Sequence, residues 1–307
     1  MEEVRAGQKP KKKAKKKKNT TSSSSTTNKE DKKAPGKTSE DAAACTGGTV
    51  ETKDVTISLI TWNVNGLDAA QQQERAAALC NYLIKYAADV VFLQEVTKAF
   101  ALVLHKSLSA DYEIIEGGKD GTFTMMLLKK SRITLERSGI VAFPATHMRR
   151  NLLVARVLFK GQKFSLMTSQ LESGKANTAE RKRQLRLVML RINKTCDDVT
   201  VLFGGDTNLI NSEVAEVGLP SGVYDVWDQL GKPQHCRYTW DTEANNNVVI
   251  PSICHYRFDR VYLRPATMER VPRLEPESMA LLGLEKLECG RFTSHHWGVY
   301  CTFKIHK

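Results

Sequence analysis

Two short apolar runs, each followed at once by polar residues, limit the folds that are open to this chain. The first run, residues 89–94, is almost continuously apolar, and the second, residues 199–203, leads into Gly204 and Gly205. A strand of this composition is usually buried on both of its faces, so other layers must cover it. The sequence therefore predicts a layered fold with its sheets inside.

Alternating and amphipathic patterns predict the other elements. Strand formers that alternate at period two indicate strands, and an apolar stripe at helical spacing, clear at Leu79 and Leu83, indicates helices. We expect strands at residues 57–62, 112–115, 122–129, 133–143, 152–159, 164–169, 255–263 and 297–305, a hairpin turn at Gly161 and Gln162, and helices at residues 71–88, 98–109 and 178–193. The expected fold class is α/β (α+β), a four-layer α/β/β/α sandwich of two mixed sheets flanked by helices.

Residues 1–53 differ from the remainder in composition and charge. They contain fourteen basic and seven acidic side chains, no aromatic residue, and a run with eight lysines at residues 9–18. Such a segment buries too little apolar surface to offset its ordering entropy, so we predict a disordered basic tail before a single domain at residues 54–307. The lysine run predicts nuclear import, with a nucleic-acid contact arm or a merely solvated tail as the alternatives.

Composition also indicates the type of environment. No apolar run approaches the length of a membrane span, and the first residues lack the apolar segment of a secretory signal, so we expect neither. The seven cysteines are scattered and never spaced as C-x-x-C. A disulfide framework or structural zinc site is therefore not expected, and a reducing compartment fits better. A basic outer face is expected on the third helix, from Arg181, Lys182, Arg183, Arg186 and Arg191.

Four predicted strand ends carry polar residues that a core would not accommodate. They are TWNVNGL at residues 61–67, LQEV at 93–96, GGDTNL at 204–209 and SHHWG at 294–298. Any one of them alone is most simply a turn, since Asn, Asp and Gly favour turns. Four such clusters at strand ends instead indicate one shared site, because sites in layered folds are assembled there.

The order TWN, LQE, GDxN and S-x-H resembles the endonuclease/exonuclease/phosphatase superfamily. Longer stretches such as TWNVNGLD, VVFLQEV, FGGDTNL and RFDRVYLR are similar, within it, to the tyrosyl-DNA phosphodiesterase 2 family. The resemblance implies a metal-dependent hydrolase of the bond between a topoisomerase 2 tyrosine and the 5′ phosphate of DNA, in double-strand break repair. The implied partners are DNA 5′ ends carrying a tyrosyl adduct and topoisomerase 2 remnants.

The resemblance also implies roles for individual residues. Glu95 matches the metal-binding glutamate and Asn65 a residue at the metal, with Mg²⁺ as the cofactor and Mn²⁺ as another possibility. Asp206 matches the group that accepts the proton from water, and Asp259 the carboxylate that orients His296, the histidine facing the phosphate. Amide contacts are implied for Asn63, Asn208 and Gln170, and apolar walls for 5′ nucleotides at Trp240 and Phe258.

Four positions depart from the family pattern. The family has aspartate at the positions of Asn65 and His295, histidine at that of Gln170, and arginine at that of Ile210. Loss of two carboxylates near the metal should lower the affinity for Mg²⁺, and loss of the arginine should weaken DNA binding. These departures motivate one alternative, a weakened paralogue that binds DNA ends or protein partners. An abasic-site endonuclease shares the core chemistry and is a further alternative, against which the longer motifs argue. The sequence leaves open the oligomeric state and any activity on RNA–peptide links or 3′ adducts.

Overall fold

The structure, a computed structural model, describes residues 55–306. The predicted tail at residues 1–53, with its lysine run, lies outside the described residues. The strands are β1 (Val55–Asn63), β2 (Val90–Val96), β3 (Tyr112–Glu116), β4 (Phe123–Lys129), β5 (Ile133–Ala142), β6 (Asn151–Phe159), β7 (Gln162–Thr168), β8 (Val199–Asp206), β9 (Tyr224–Asp225), β10 (Trp240–Asp241), β11 (His255–Tyr256), β12 (Asp259–Arg264), β13 (Arg273–Leu282) and β14 (Gly298–His306). The α-helices are α1 (Gln72–Tyr86), α2 (Lys98–Leu108), α3 (Thr178–Asn193), α4 (Asn211–Val217) and α5 (Val226–Gln229), and two short 3-10 helices span Lys175–Asn177 and Gln234–Cys236.

Two six-stranded sheets carry the fold. Their strand orders are β13-β14-β1-β2-β4-β3 and β5-β6-β7-β8-β12-β9, and β10 pairs with β11 in a separate ribbon. The pairs β1–β2 and β7–β8 are parallel while the other pairs are antiparallel, so both sheets are mixed. Each parallel pair brings the carboxyl ends of two strands to the same edge of its sheet. This arrangement determines where the polar clusters meet.

Three apolar clusters hold the layers together. The first lies between the sheets and includes Phe92 and Leu202. The second packs α1 and α2 on the first sheet and includes Leu79 and Val91, and the third packs α3 on the second sheet, where Leu185 is buried. Burial of these side chains is the main driving force for the four-layer arrangement. The predicted sandwich of two mixed sheets flanked by helices is thus confirmed.

Local differences from the sequence predictions have physical causes. The hairpin turn lies at Lys160 and Gly161, both with positive φ as a type I′ turn requires, and Gln162 already belongs to β7. The strand predicted at 255–263 is divided into β11 and β12. Strand β13 was not anticipated because its Pro276 argues against a strand, yet it lies on a sheet edge at a register shift, where proline is tolerated.

Helix α3 has the predicted bounds, but one of its arginines was wrongly predicted to be on the outer face. Arg181 is only 4% exposed and its Nη2 lies 2.6 Å from Glu213 Oε1. It shares the inward stripe with Leu185 and Val188 at spacings of four and seven residues. Within residues 55–306, six cysteines are free. No helix among these residues is long and apolar enough to span a membrane.

Gly205, next to Asp206 in β8, lies where two backbones approach closely. A Cβ atom on Gly205 would lie 2.1 Å from the carbonyl oxygen of Ser169, which directly follows β7. No such contact is possible without moving a backbone, so only glycine fits this position. By contrast, a Cβ on Gly139 in the edge strand β5 would meet nothing within 4 Å.

We predict that Gly205→Ala lowers the free energy of unfolding by about 1–3 kcal/mol, the usual cost of overpacking. The matched control, Gly139→Ala, should change it by less than about 0.5 kcal/mol. Guanidinium denaturation followed by tryptophan fluorescence measures both values. Equal midpoints for the two variants would contradict the close approach of β7 and β8.

Candidate active site

The topology brings the four polar clusters to one place. The parallel pair β1–β2 ends in the first two clusters, and the parallel pair β7–β8 ends near Gln170 and Asp206. Strand β12 runs antiparallel to β8, and its first residue, Asp259, is the direct partner of Asp206. Across the sheets, Asn63 Nδ2 donates to Asp206 Oδ2 at 2.9 Å, so the ends of β1 and β8 meet.

Asp206 accepts hydrogen bonds from three sides and is 1% exposed. Besides Asn63, Gln170 Nε2 donates to its Oδ2 at 3.1 Å, and the backbone N–H of Asn208 donates to its Oδ1 at 3.0 Å. These donors are neutral, so they orient the carboxylate without cancelling its charge. The side-chain amide of Asn208 donates elsewhere, to the carbonyl of Leu171 at 3.2 Å.

His296 and Asp259 form a buried, charged pair. Their Nδ1 and Oδ2 atoms are 2.8 Å apart, and Trp62 Nε1 donates to the His296 carbonyl at 2.9 Å. Burial alone would lower the pKa of His296, but the negative charges of Asp259, Asp206 and Glu95 raise it to about 9. Burial also raises the pKa of Asp259, and the nearby imidazolium opposes that change. At neutral pH the site therefore contains a fixed imidazolium.

Glu95 is presented by an irregular strand. The register of β2 against β4 shifts between Leu93 and Val96, and Glu95 within that shift has a φ of 55°. A bulge of this kind redirects a side chain, and the left-handed backbone is unfavourable for glutamate. The carboxylate reaches Gln170, whose Nε2 donates to Glu95 Oε1 at 2.6 Å.

Gln170 connects Glu95 and Asp206 to the guanidinium group of Arg150. Its single Nε2 group donates to both Glu95 and Asp206, and its Oε1 accepts from Arg150 Nη1. The side chain is 3% exposed, so these bonds leave it little freedom. Gln170 therefore fixes the separation of the two carboxylates.

Asn65 and His295, for which the resemblance implies aspartates in the family, both lack negative charge. The Asn65 backbone has a φ of 51° and its N–H donates to Asn63 Oδ1 at 2.9 Å, while its Nδ2 donates to Asp68 at 3.4 Å. Burial, the charge of His296 and the charge of Arg75 lower the pKa of His295 well below its ordinary value. His295 is therefore neutral at physiological pH, and its buried Nδ1 has no hydrogen-bond partner within residues 55–306.

The residues present fit a divalent cation at Glu95. Among the described residues, Glu95 Oε2 and Asn65 Oδ1 accept no hydrogen bond, so one charged and one neutral oxygen are available, and a hard cation prefers such ligands. Ligand-type atoms of Asp206, Asp259 and His296 also lie within 4.8 Å of one another. In that trio His296 Nδ1 is bonded to Asp259 Oδ2 at 2.8 Å, so these two side chains are engaged with each other.

An aromatic surface borders His296. The Trp240 and Phe258 ring centroids are 5.6 Å apart, and Phe258 lies 6.4 Å from the His296 ring. Tyr256, which the sequence reasoning missed, stacks on Phe258 at 4.8 Å and pairs with Trp240 across the β10–β11 ribbon. Its position two residues before Phe258 was the available signal, since such residues share one face of an extended segment.

Arg75 is a second residue that the sequence reasoning missed. It is fully buried, and its guanidinium donates to the carbonyls of Val64, Asn65 and Thr293 at 3.1–3.2 Å, and to those of Asp68 and Ala70. The planar five-donor fork of arginine suits this task, and lysine cannot reproduce it. Arg75 thus ties the first polar cluster to Thr293, the residue directly before the fourth cluster. The sequence signal for the burial of Arg75 was its position four residues before Leu79, on the apolar stripe that continues to Leu83.

Comparison with known proteins shows the family of this chain. Residues 60–280 match a family model described as the endonuclease/exonuclease/phosphatase family. Tyrosyl-DNA phosphodiesterase 2 of Danio rerio is 52% identical over 254 residues, which cover 82% of this chain and 68% of that protein. The human protein of the same name is 49% identical over 249 residues, which cover 81% of this chain and 68% of that protein.

Solved structures of the same family have a similar fold. A crystal structure of the Danio rerio phosphodiesterase complexed with a single-strand DNA product has a TM-score of 0.79 and 52% identity, covering 81% of this chain and 99% of that one. A structure of the enzyme from C. elegans has a TM-score of 0.73 and 28% identity, covering 81% of this chain and 75% of that one. The likeness therefore covers the layers that build the site.

We predict that NMR titration of the His296 imidazole gives a pKa of about 9 in the wild-type protein. In Asp259→Asn the largest raising charge is removed while burial still opposes the charged form, so the pKa should fall below that value. The exposed Asp228→Asn change is the control and should leave the titration unmoved. A pKa that stays near 9 in Asp259→Asn would contradict the assigned pair.

Proposed function

This chain belongs to the endonuclease/exonuclease/phosphatase family, and within it to the tyrosyl-DNA phosphodiesterase 2 family; from that membership and the site geometry, we propose that it is a 5′-tyrosyl-DNA phosphodiesterase. Its substrate would be the phosphodiester between a topoisomerase 2 tyrosine and the 5′ phosphate of DNA, removed during double-strand break repair. The lysine run at residues 9–18 supports a nuclear location.

One observation carries the proposal: an oriented, buried carboxylate, Asp206, lies beside a fixed imidazolium, His296. Asp206 is the direct strand partner of Asp259, and Asp259 holds His296 at 2.8 Å. A base and a cation side by side suit attack of water on a phosphate, because one group accepts the proton while the other stabilises growing negative charge. Neutral amides from Asn63 and Gln170 keep the base in place.

The proposed reaction is an in-line displacement. The oxygen of water bonds to phosphorus as the bond from phosphorus to the tyrosine oxygen breaks, and Asp206 accepts the proton. The Nε2 atom of His296 makes no hydrogen bond within residues 55–306 and is the donor that faces the phosphate oxygens. Tyrosine leaves as a phenolate, a good leaving group because its pKa is about 10.

A divalent cation, which we propose to be Mg²⁺ with Mn²⁺ as the alternative, would be held by Glu95 and Asn65. When bound, it would supply positive charge that neutralises the phosphate. Only one of these two ligands is anionic, and His295 is neutral, so the affinity for a hard cation should be low. The softer imidazole of His295 favours Mn²⁺ over Mg²⁺ relative to a carboxylate.

The aromatic surface of Trp240, Tyr256 and Phe258 would contact the DNA. Its rings lie next to His296, so nucleotides that follow the scissile 5′ phosphate can stack there. Stacking of this kind tolerates any base, which suits removal of adducts at arbitrary sequences. The proposed DNA partner is therefore a 5′ end with a few unpaired nucleotides.

A second candidate function rests on the four departures from the family pattern. Asn65, His295 and Gln170 remove charge or a titratable group from the site, and Ile210 is a 39% exposed apolar side chain where the family has arginine. A protein with these features would bind DNA ends or protein partners with little turnover. The network around Asp206 favours the enzyme, because binding alone would not require an oriented base.

The decisive experiment measures tyrosine release from a 5′-phosphotyrosyl single strand with Mg²⁺. We predict turnover by the wild-type protein and a fall in kcat of about 10²–10⁴-fold in Asp206→Asn, the usual contribution of a general base. Asp228→Asn is the charge-matched control and should retain full activity. Binding without turnover by the wild-type protein would favour the weakened paralogue, and incision of a duplex abasic site would favour an abasic-site endonuclease.

Returning the two lost carboxylates should change the metal requirement. In the double variant Asn65→Asp, His295→Asp, we predict half-maximal activity at a Mg²⁺ concentration at least about tenfold lower than in the wild type, since anionic oxygens bind this ion better. A titration with Mg²⁺, with Mn²⁺ and with chelator measures this. An unchanged Mg²⁺ requirement would remove Asn65 and His295 from the metal site.

A further inference from the structure

A cleft on the outer face of the second sheet lies apart from the candidate active site. It has a volume of about 450 Å³ and lies between the C-terminal half of α3 and the helix-facing side of β5, β6 and β7. This volume is within the range of ligand-binding clefts. Its lining extends from Arg156 and Ser165 within β6 and β7 to Leu152 and Met167 near the ends of the same strands, on the side that faces α3. The candidate active site lies beyond the ends of β7 and β8, and none of its residues lines the cleft.

Three arginines that form no close ion pair within residues 55–306 converge at this cleft. Arg156 and Arg191 line it, and both also line an adjoining cleft of about 300 Å³ together with Arg137. Arg137 and Arg156 are direct partners across the β5–β6 pair, so their side chains leave the same face. Like charges in such positions repel each other. In the part of the chain that the structure describes, no carboxylate lies within 4 Å of the guanidinium group of any of the three, and Arg156 interacts with Asp198, the ion-pair partner of Lys163, only beyond that distance.

The buried hydroxyl of Ser165 is an independent observation that points to ligand binding in this cleft. It is the direct partner of Arg156 in the β6–β7 pair, lines the cleft, and is fully buried. Its hydroxyl has no hydrogen-bond partner within residues 55–306. A buried hydroxyl left without a partner is unfavourable, so an oxygen of a ligand in the cleft would satisfy it.

The cleft is also lined by apolar groups. Val141, Leu152 and Met167 line it from the sheet, and Leu187 and Leu190 of α3 line it from above with 37% and 47% of their surface exposed. A nucleic-acid backbone has no aliphatic group to fill such a wall. A peptide that combines carboxylates with apolar side chains satisfies both the arginines and the leucines.

We propose that this cleft binds an acidic peptide segment of a protein partner. Its carboxylates contact Arg137, Arg156 and Arg191, and an apolar side chain enters between α3 and the sheet. A backbone or side-chain oxygen of the peptide accepts from the Ser165 hydroxyl. The partner is thus recognised by acidic and apolar side chains in alternation, on the helix-facing side of the second sheet and outside the candidate active site.

The test uses the full chain and a fluorescein-labelled synthetic peptide that alternates aspartate with leucine, followed by fluorescence anisotropy. We expect binding that the double variant Arg156→Gln, Arg191→Gln weakens at least about tenfold. The matched double variant Arg183→Gln, Arg186→Gln, on the same helix but outside the cleft, should bind like the wild type. Ser165→Ala should weaken binding by about two- to tenfold, the effect of one hydrogen bond.

Companion probes separate this cleft from a general basic surface. A peptide with serine in place of leucine should bind at least about tenfold more weakly, because the apolar contacts are lost. Tyrosine release should be unchanged in the Arg156→Gln, Arg191→Gln variant. The proposal is overturned if the aspartate–leucine peptide fails to bind at millimolar concentration, if that variant binds it normally, or if the serine peptide or a single-stranded oligonucleotide binds through these arginines equally well.

Discussion

Two carboxylates buried side by side need a permanent cation, and the site is organised around that need. Asp206 and Asp259 are direct partners in β8 and β12 and are 1% and 2% exposed. Their repulsion in a medium of low dielectric constant would drive one of them to protonate. The imidazolium of His296 removes this problem because it bonds to Asp259 and is held charged by both acids. The buried carboxylates and the imidazolium of His296 therefore depend on one another for their charges.

The amide of Gln170 extends this arrangement from one sheet to the other. It joins Glu95, at the end of the first sheet, to Asp206, at the end of the second, and Arg150 holds its oxygen. A histidine at this position would have two ring nitrogens for three partners and a charge that depends on pH. Glutamine instead gives fixed polarity, so the separation of the two acids is independent of protonation at that residue.

The sequence alone predicted the elements in which the local hydrophobic pattern agrees with the burial of the side chains in the fold. The bounds of α3 and the layered order follow from hydrophobic period, and the convergence of the polar clusters follows from strand direction. Prediction failed where tertiary context reverses a local preference. Arg181 and Arg75 are charged yet buried, because Glu213 or several carbonyls satisfy them. Strand β13 accommodates proline only because it lies at an edge with a register shift.

The bulge at Glu95 has a consequence for how this protein responds to selection. A left-handed backbone at glutamate costs on the order of 1–3 kcal/mol, and glycine would remove most of that cost. Substitutions that raise the free energy of unfolding would thus favour replacement of Glu95, the carboxylate that the first sheet contributes to the candidate active site. Only pressure to keep the chemistry retains glutamate there, so this position records whether a lineage still uses its active site.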